Sequence, residues 1–136
     1  EGYFADLTKT VFVGSVSARQ HEVYDTVLRA QEKAIESVKP GIRASDIDKA
    51  ARDVIKEAGY GERFIHRTGH GLGLEVHEEP SITATCTTVL RPGMTFTVEP
   101  GIYLPQEFGV RIEDNVAVTD RGKATIAACE KSMLIL

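Results

Sequence analysis

The sequence contains no apolar run long enough to cross a bilayer, and no basic segment followed by a hydrophobic one opens it. Cysteine is scarce. Only Cys86 and Cys129 occur, far apart and without CxxC spacing, which excludes a disulfide framework and a zinc knuckle. Each thiol reads as a small buried hydrophobe, and the pattern suits a reducing compartment, so the expectation is a soluble, cytoplasmic protein. Positive charge is also short. Sixteen Lys and Arg against twenty Asp and Glu leave a net charge of −4. Neither a nucleic acid nor an anionic membrane is an expected partner, because both need a positive footprint. No repeat, low-complexity tract or linker divides the chain. An initiating methionine is missing too: Glu1 leads almost at once into a strand-like run, so the N-terminus reads as cut.

What is present fits one α+β domain, residues 1–136, with enough apolar sequence for a core. Residues Tyr3 to Gly14, YFADLTKTVFVG, read as a strand in which Asp6 shares a face with Phe4, Thr8 and Phe12. Ser17 and Gln20 form a capping-box pattern that opens a helix carrying Val23, Val27, Ala30, Ala34 and Val38 inward until Pro40-Gly41. A second helix is expected from Ser45, capped by its hydroxyl, with Ile47, Ala51, Val54, Ile55 and Ala58 inward and Gly59 as its left-handed stop. From Phe64 onward the texture is that of strands and tight turns. Thr95 to Glu99 and Val110 to Val118 alternate, and Arg91-Pro92-Gly93 and Asp120-Arg121-Gly122 mark turns.

The chemistry concentrates in HRTGHGLGLEVHEEP, His66 to Pro80, where three of the four histidines lie among glycines 69, 71 and 73. Glycines allow close backbone approach or positive φ, which suits a chain folding around a ligand. The segment contains GxGxG but lacks the Lys-Ser/Thr of a phosphate loop, and no long helix pattern follows it. Three acids stand out in otherwise apolar strands. Asp6 lies in the first, Glu99 ends TVE before Pro100-Gly101, and Glu113 lies in VRIEDNVAV. Each taken alone could be a solvated carboxylate, Glu113 with Arg111 as its ion partner. Together with a histidine they form an oxygen-rich donor set suited to Mn²⁺, Co²⁺, Fe²⁺ or Zn²⁺.

The segments YFADLTKT, HRTGHGLGLEVHEEP, TVEPGIY and GVRIEDNV, with the junction KPGIRASDIDKAAR, resemble the prolidase, aminopeptidase P and creatinase group. That group shares the pita-bread fold with the methionine aminopeptidases. The arginine-bearing GVRIED form is nearer to prolidase and aminopeptidase P. The resemblance implies a pita-bread domain, an antiparallel sheet covered by helices, incomplete at its N-terminus. It implies Asp6 and Glu113 as carboxylates bridging two metals, His70 as a ligand of one, and Glu99 as a ligand that also moves a proton. His77 matches the histidine that contacts the substrate carbonyl, and His66, Tyr103 and Arg111 match residues around the substrate. His21 matches nothing and reads as a surface helix residue.

The implied cofactors are two divalent ions, Mn or Co first, Zn or Fe as alternatives. The implied reaction is hydrolysis of Xaa-Pro bonds by a metal-activated hydroxide on a proline-containing peptide, by a homodimer in the full-length protein. Prolidase is favoured over an aminopeptidase P acting on longer peptides. A metal-free creatinase-like hydrolase and an inactive binding module are further readings, against which the retained acids argue. A fifth ligand, an aspartate on a preceding strand, and a separate N-terminal domain are expected upstream of Glu1. The fragment alone is therefore expected to bind metal incompletely and to be inactive.

Overall fold

The computed structural model describes residues 2–136. Helix α1, Ala18–Ser37, opens on the predicted reciprocal cap: the Gln20 N–H donates to Ser17 Oγ, and the Ser17 N–H to Gln20 Oε1. Its Val23, Val27, Ala30 and Ala34 stripe is buried. Helix α2, Ala44–Glu57, begins two residues earlier than the Ser45 cap implies. Arg43 is the N-cap, and its N–H donates to the Asp46 carboxylate at 2.9 Å. Ser45 lies inside the first turn, where its N–H donates to the Cys86 carbonyl. Ile47, Ala51 and Ile55 face inward, Val54 and Ala58 are only half-buried, and Gly59 has φ +85° as a left-handed stop.

A 3-10 turn, Gly61–Arg63, leads from the helices into the strands. These are β1 (Val11–Phe12), β2 (Gly69–Gly71), β3 (Glu78–Ile82), β4 (Thr95–Val98), β5 (Gly101–Leu104), β6 (Phe108–Arg111), β7 (Asp114–Thr119), β8 (Gly122–Ala127) and β9 (Leu134–Ile135). The main sheet is antiparallel, in the order β3-β2-β4-β7-β8, with β5-β6 as a hairpin and β1-β9 as a parallel pair. The two helices pack on one another, α1 against β4, β5 and β6, and α2 against β3. Val23, Val27, Ile47 and Ile55 from the helices join Phe96, Val98, Ile102 and Val116 from the strands in one buried cluster. Covering an antiparallel sheet with a helix pair is the expected α+β arrangement.

Two strand expectations are corrected. Between Tyr3 and Gly14 only Val11–Phe12 is ladder-paired. The residues before it satisfy their backbone elsewhere. The Asp6 N–H donates to Asn115 Oδ1, Asn115 Nδ2 donates back to the Asp6 carbonyl, and the Phe4 N–H donates to the Gly73 carbonyl. A segment whose partners are side chains and single carbonyls cannot form a ladder. The expected Val110–Val118 strand is likewise two, β6 and β7, interrupted at Ile112 and Glu113. Arg111 is exposed while Ile112 and Glu113 are both buried, so the alternation fails at the acid.

Candidate metal centre

Strand β2 delivers His70 into the sheet interior, and the glycines on either side are dictated by contact. A Cβ on Gly69 would stand 1.9 Å from the Thr97 carbonyl oxygen, and one on Gly71 would stand 2.3 Å from that of Glu79. Neither glycine has positive φ, so of the two roles open to them close approach is the one used. His70 Nδ1 lies 3.0 Å from the Gly71 carbonyl, which can only accept. The neutral ring therefore carries its proton on Nδ1 and presents Nε2 as a donor of electrons. That atom faces Glu99 Oε1 at 3.2 Å and Asp6 Oδ2 at 3.8 Å.

Each acid reaches this point by a different route. Asp6 sits on the irregular N-terminal segment, tied to β7 through Asn115. Glu99 directly follows β4, its N–H bonded to the Thr68 carbonyl and its Oε1 accepting from the Thr97 hydroxyl. Glu113 occupies the break between β6 and β7, and Thr8 Oγ1 donates to its Oε2 at 2.5 Å.

Asp6, His70 and Glu113 each offer a ligand atom, all within 4.8 Å of one another. Glu99 stands outside that triad and adjoins it through His70. Glu113 is 1% exposed, and among the described residues its Oε1 has no hydrogen-bond partner. Burial, reinforced by the charges of Glu99 and Asp6 and opposed by Thr8 and Arg111, raises its pKa to about 7. A buried carboxylate oxygen without a donor, among neighbouring acids, fits the coordination of a cation. Two carboxylates and an imidazole nitrogen converging on one point fit a divalent first-row ion.

Around this cluster a cleft of about 380 Å³ is lined by Asp6, Glu99 and Glu113 and also by His66, Arg67, His77 and Arg111. A larger depression of about 570 Å³, between the end of α2 and the 3-10 turn, contains none of these residues. The exposed His77 ring packs edge-on against His70 with centroids 4.3 Å apart. His66 is held on both sides. Its Nδ1 faces the Arg67 carbonyl at 2.7 Å and its Nε2 the Tyr103 hydroxyl at 2.7 Å. Burial raises the Tyr103 pKa, with Arg111 opposing, so the phenol stays protonated at neutral pH and donates to His66. Arg111 Nε donates to Thr8 Oγ1 at 3.1 Å, extending the chain that ends on Glu113. His21 is remote, exposed on α1 and paired with Asp25 one turn away.

The family model for metallopeptidase family M24 matches residues 1–120. The chain belongs to family M24. An Xaa-Pro dipeptidase of Pyrococcus furiosus is 49% identical to this M24 chain over 132 residues, 97% of the chain and 38% of that protein. Among solved structures, a prolidase from Thermococcus sibiricus superposes with a TM-score of 0.97 at 49% identity, covering 99% of the chain and 37% of the other. An X-Pro aminopeptidase from Thermotoga maritima superposes with a TM-score of 0.95 at 42% identity, covering 99% and 38%. These neighbours establish the pita-bread fold. The M24 chain thus spans well under half the length of the relatives it matches.

Supporting residues that sequence reading passed over complete the site. Thr8, Thr97 and Asn115 hold the acids, and hydroxyls and amides in or beside strands carry no signal of that role. Asp48, fully buried on α2, accepts from Arg52 Nε at 2.7 Å and from Thr68 Oγ1 at 2.7 Å. Arg52 also donates to the carbonyls of Phe64 and His66, clamping the approach to β2. A signal for Asp48 did exist: it falls between Ala44, Ala51 and Ile55 on the helix's apolar stripe.

Proposed function

We propose that the intact protein is an Xaa-Pro dipeptidase whose centre binds two divalent cations, Mn²⁺ or Co²⁺, through Asp6, His70, Glu99 and Glu113. The observation that carries this reading is the convergence of Asp6, His70 and Glu113 on one point, with the buried Glu113 Oε1 unpartnered there among the described residues. The sequence likeness to an Xaa-Pro dipeptidase and the structural likeness to a prolidase supply the substrate class. One catalytic domain over residues 1–136 is part of the same proposal.

Divalent cations bound there supply Lewis acidity, polarising the scissile carbonyl and lowering the pKa of water. The side chains do the rest. Glu99 is a ligand whose carboxylate takes a proton from the nucleophile and returns it to the leaving nitrogen. For an Xaa-Pro bond that nitrogen is tertiary, so its protonation on departure is required. His77, edge-on to His70 and open to the cleft, donates a hydrogen bond to the substrate carbonyl as negative charge develops. His66, Tyr103 and Arg111 bind the substrate. Tyr103 fixes the His66 ring, and Arg111 faces the cleft beside Thr8.

The test is metal analysis of the intact protein combined with turnover of an Xaa-Pro dipeptide, a longer Xaa-Pro peptide and a dipeptide without proline. Two ions per chain and preferential cleavage of the Xaa-Pro dipeptide are expected. Preference for the longer peptide favours the aminopeptidase reading, to which the Thermotoga maritima structure lends support. A protein that cleaves without metal, or binds metal without cleaving, overturns the proposal.

A further inference from the structure

We propose that Thr97 is a positioning residue of the metal centre, holding the Glu99 carboxylate in place and fixing the strand that carries His70. This rests on the ligand roles proposed above for Glu99 and His70. Thr97 is fully buried on β4, and its hydroxyl meets both partners: it receives the His70 N–H at 3.0 Å and reaches Glu99 Oε1 at 2.9 Å. An amide N–H can only donate, so the hydroxyl oxygen accepts from His70. Its single proton is then left for the carboxylate, which can only accept when ionised. The direction of both bonds follows from the donor inventory.

The contacts close into a ring. Glu99 Oε1 lies 3.2 Å from His70 Nε2, while the His70 backbone returns to Thr97. Swinging Glu99 to another rotamer breaks the Thr97 contact, and shifting β2 breaks the His70 one. The strands are pressed together at this point, because a Cβ on Gly69 would meet the Thr97 carbonyl oxygen at 1.9 Å and its Oγ1 at 3.0 Å. Ligand geometry at a metal depends on such supporting hydrogen bonds.

Thr95 is an internal control. It lies two residues earlier on the same strand and donates to the Leu72 carbonyl at 2.6 Å, but it touches neither Glu99 nor His70 through its hydroxyl. The experiment titrates Mn²⁺ alone into the intact wild-type protein and into Thr97→Val, Thr97→Ser and Thr95→Val, with thermal unfolding measured in parallel. Thr97→Val is expected to weaken Mn²⁺ binding by roughly 10–100-fold. Thr97→Ser, which keeps the hydroxyl, and Thr95→Val are expected to titrate as wild type. Should Thr97→Val fail to fold, Thr97→Ala gives the same reading with less bulk. Wild-type affinity in the hydroxyl-free variant, an equal loss in Thr95→Val, or no rescue by serine overturns the proposal while leaving the metal assignment intact. A wild-type protein that binds no Mn²⁺ removes the metal assignment and the Thr97 role with it.

Discussion

Thr8 and Glu113 are joined twice across 105 residues of sequence: the Glu113 N–H donates to the Thr8 carbonyl at 3.0 Å, and the Thr8 hydroxyl donates to Glu113 Oε2 at 2.5 Å. The first bond anchors the backbone where β6 breaks from β7. The second is the main influence holding the Glu113 pKa down against burial. Removing the hydroxyl therefore raises that pKa further above about 7. Protons compete with cations for the carboxylate, so Thr8→Val is expected to move the pH of half-maximal metal binding upward. Metal titrations of wild type and variant across a pH series check this. Superimposable pH curves would remove Thr8 from the centre.

The same group makes metal-free stability depend on pH in an unusual direction for a carboxylate. Its folded pKa, about 7, lies above the ordinary 4.5. Between those values the folded state binds more protons than the unfolded one, so the contribution is fully present below 4.5 and is lost as pH rises through about 7. In chelator, wild type should lose stability relative to Glu113→Gln across that window. Thermal unfolding of both proteins at several pH values measures the difference. Parallel curves would show that Glu113 titrates normally.

Gly69 and Gly93 predict opposite kinds of damage. Gly69→Ala forces a methyl to within 1.9 Å of the Thr97 carbonyl oxygen, so β2 and β4 must separate. A loss of about 3 kcal/mol or more is expected, with metal binding impaired as well. Gly93 has φ +90° and open space around its Cβ position, so Gly93→Ala should cost only about 1–2 kcal/mol of backbone strain. Denaturant unfolding and metal titration of the two variants should separate them; equal effects on metal binding would contradict this account.

Arg52 clamps the segment that precedes His70. Arg52→Met leaves Asp48, which is fully buried, without its cation, and strands the carbonyls of Phe64 and His66. Breaking a buried pair from one side typically costs about 3–5 kcal/mol, and because the Arg52 side chain is 34% exposed the loss is expected at the lower end. The double variant Asp48→Asn with Arg52→Met should recover part of that loss. Denaturant unfolding of the single and double variants tests this, and a double variant less stable than the single one would refute it.

How much of the centre was legible depended on the kind of residue. Glu99 and Glu113 were conspicuous because a carboxylate within an apolar run is costly to bury without a partner. His70 stood out because glycines surround it. Asn115 and Thr97 were invisible, since an amide or hydroxyl in a strand is ordinary until its partner is known. Lys131 was passed over too. It donates to the buried Asp114 carboxylate at 2.8 Å and to Gln31 at 2.9 Å, contacts that only the return of the C-terminal segment creates.

The sequence by itself determined what local interactions decide: the Ser17–Gln20 cap, the apolar faces of α1 and α2, the left-handed stop at Gly59, and the turns at Gly93 and Gly122. It also marked the acids that do not belong in an apolar strand. Tertiary structure alone decided that the N-terminal segment surrenders its ladder to Asn115, that the β6–β7 strand breaks at Glu113, and that Asp6, His70 and Glu113 meet within 4.8 Å. The physical reason is range. Caps and helical periodicity act within a few residues, whereas the contacts that bring Asp6, His70, Glu99 and Glu113 together pair groups tens of residues apart, whose partners exist only once the sheet has formed.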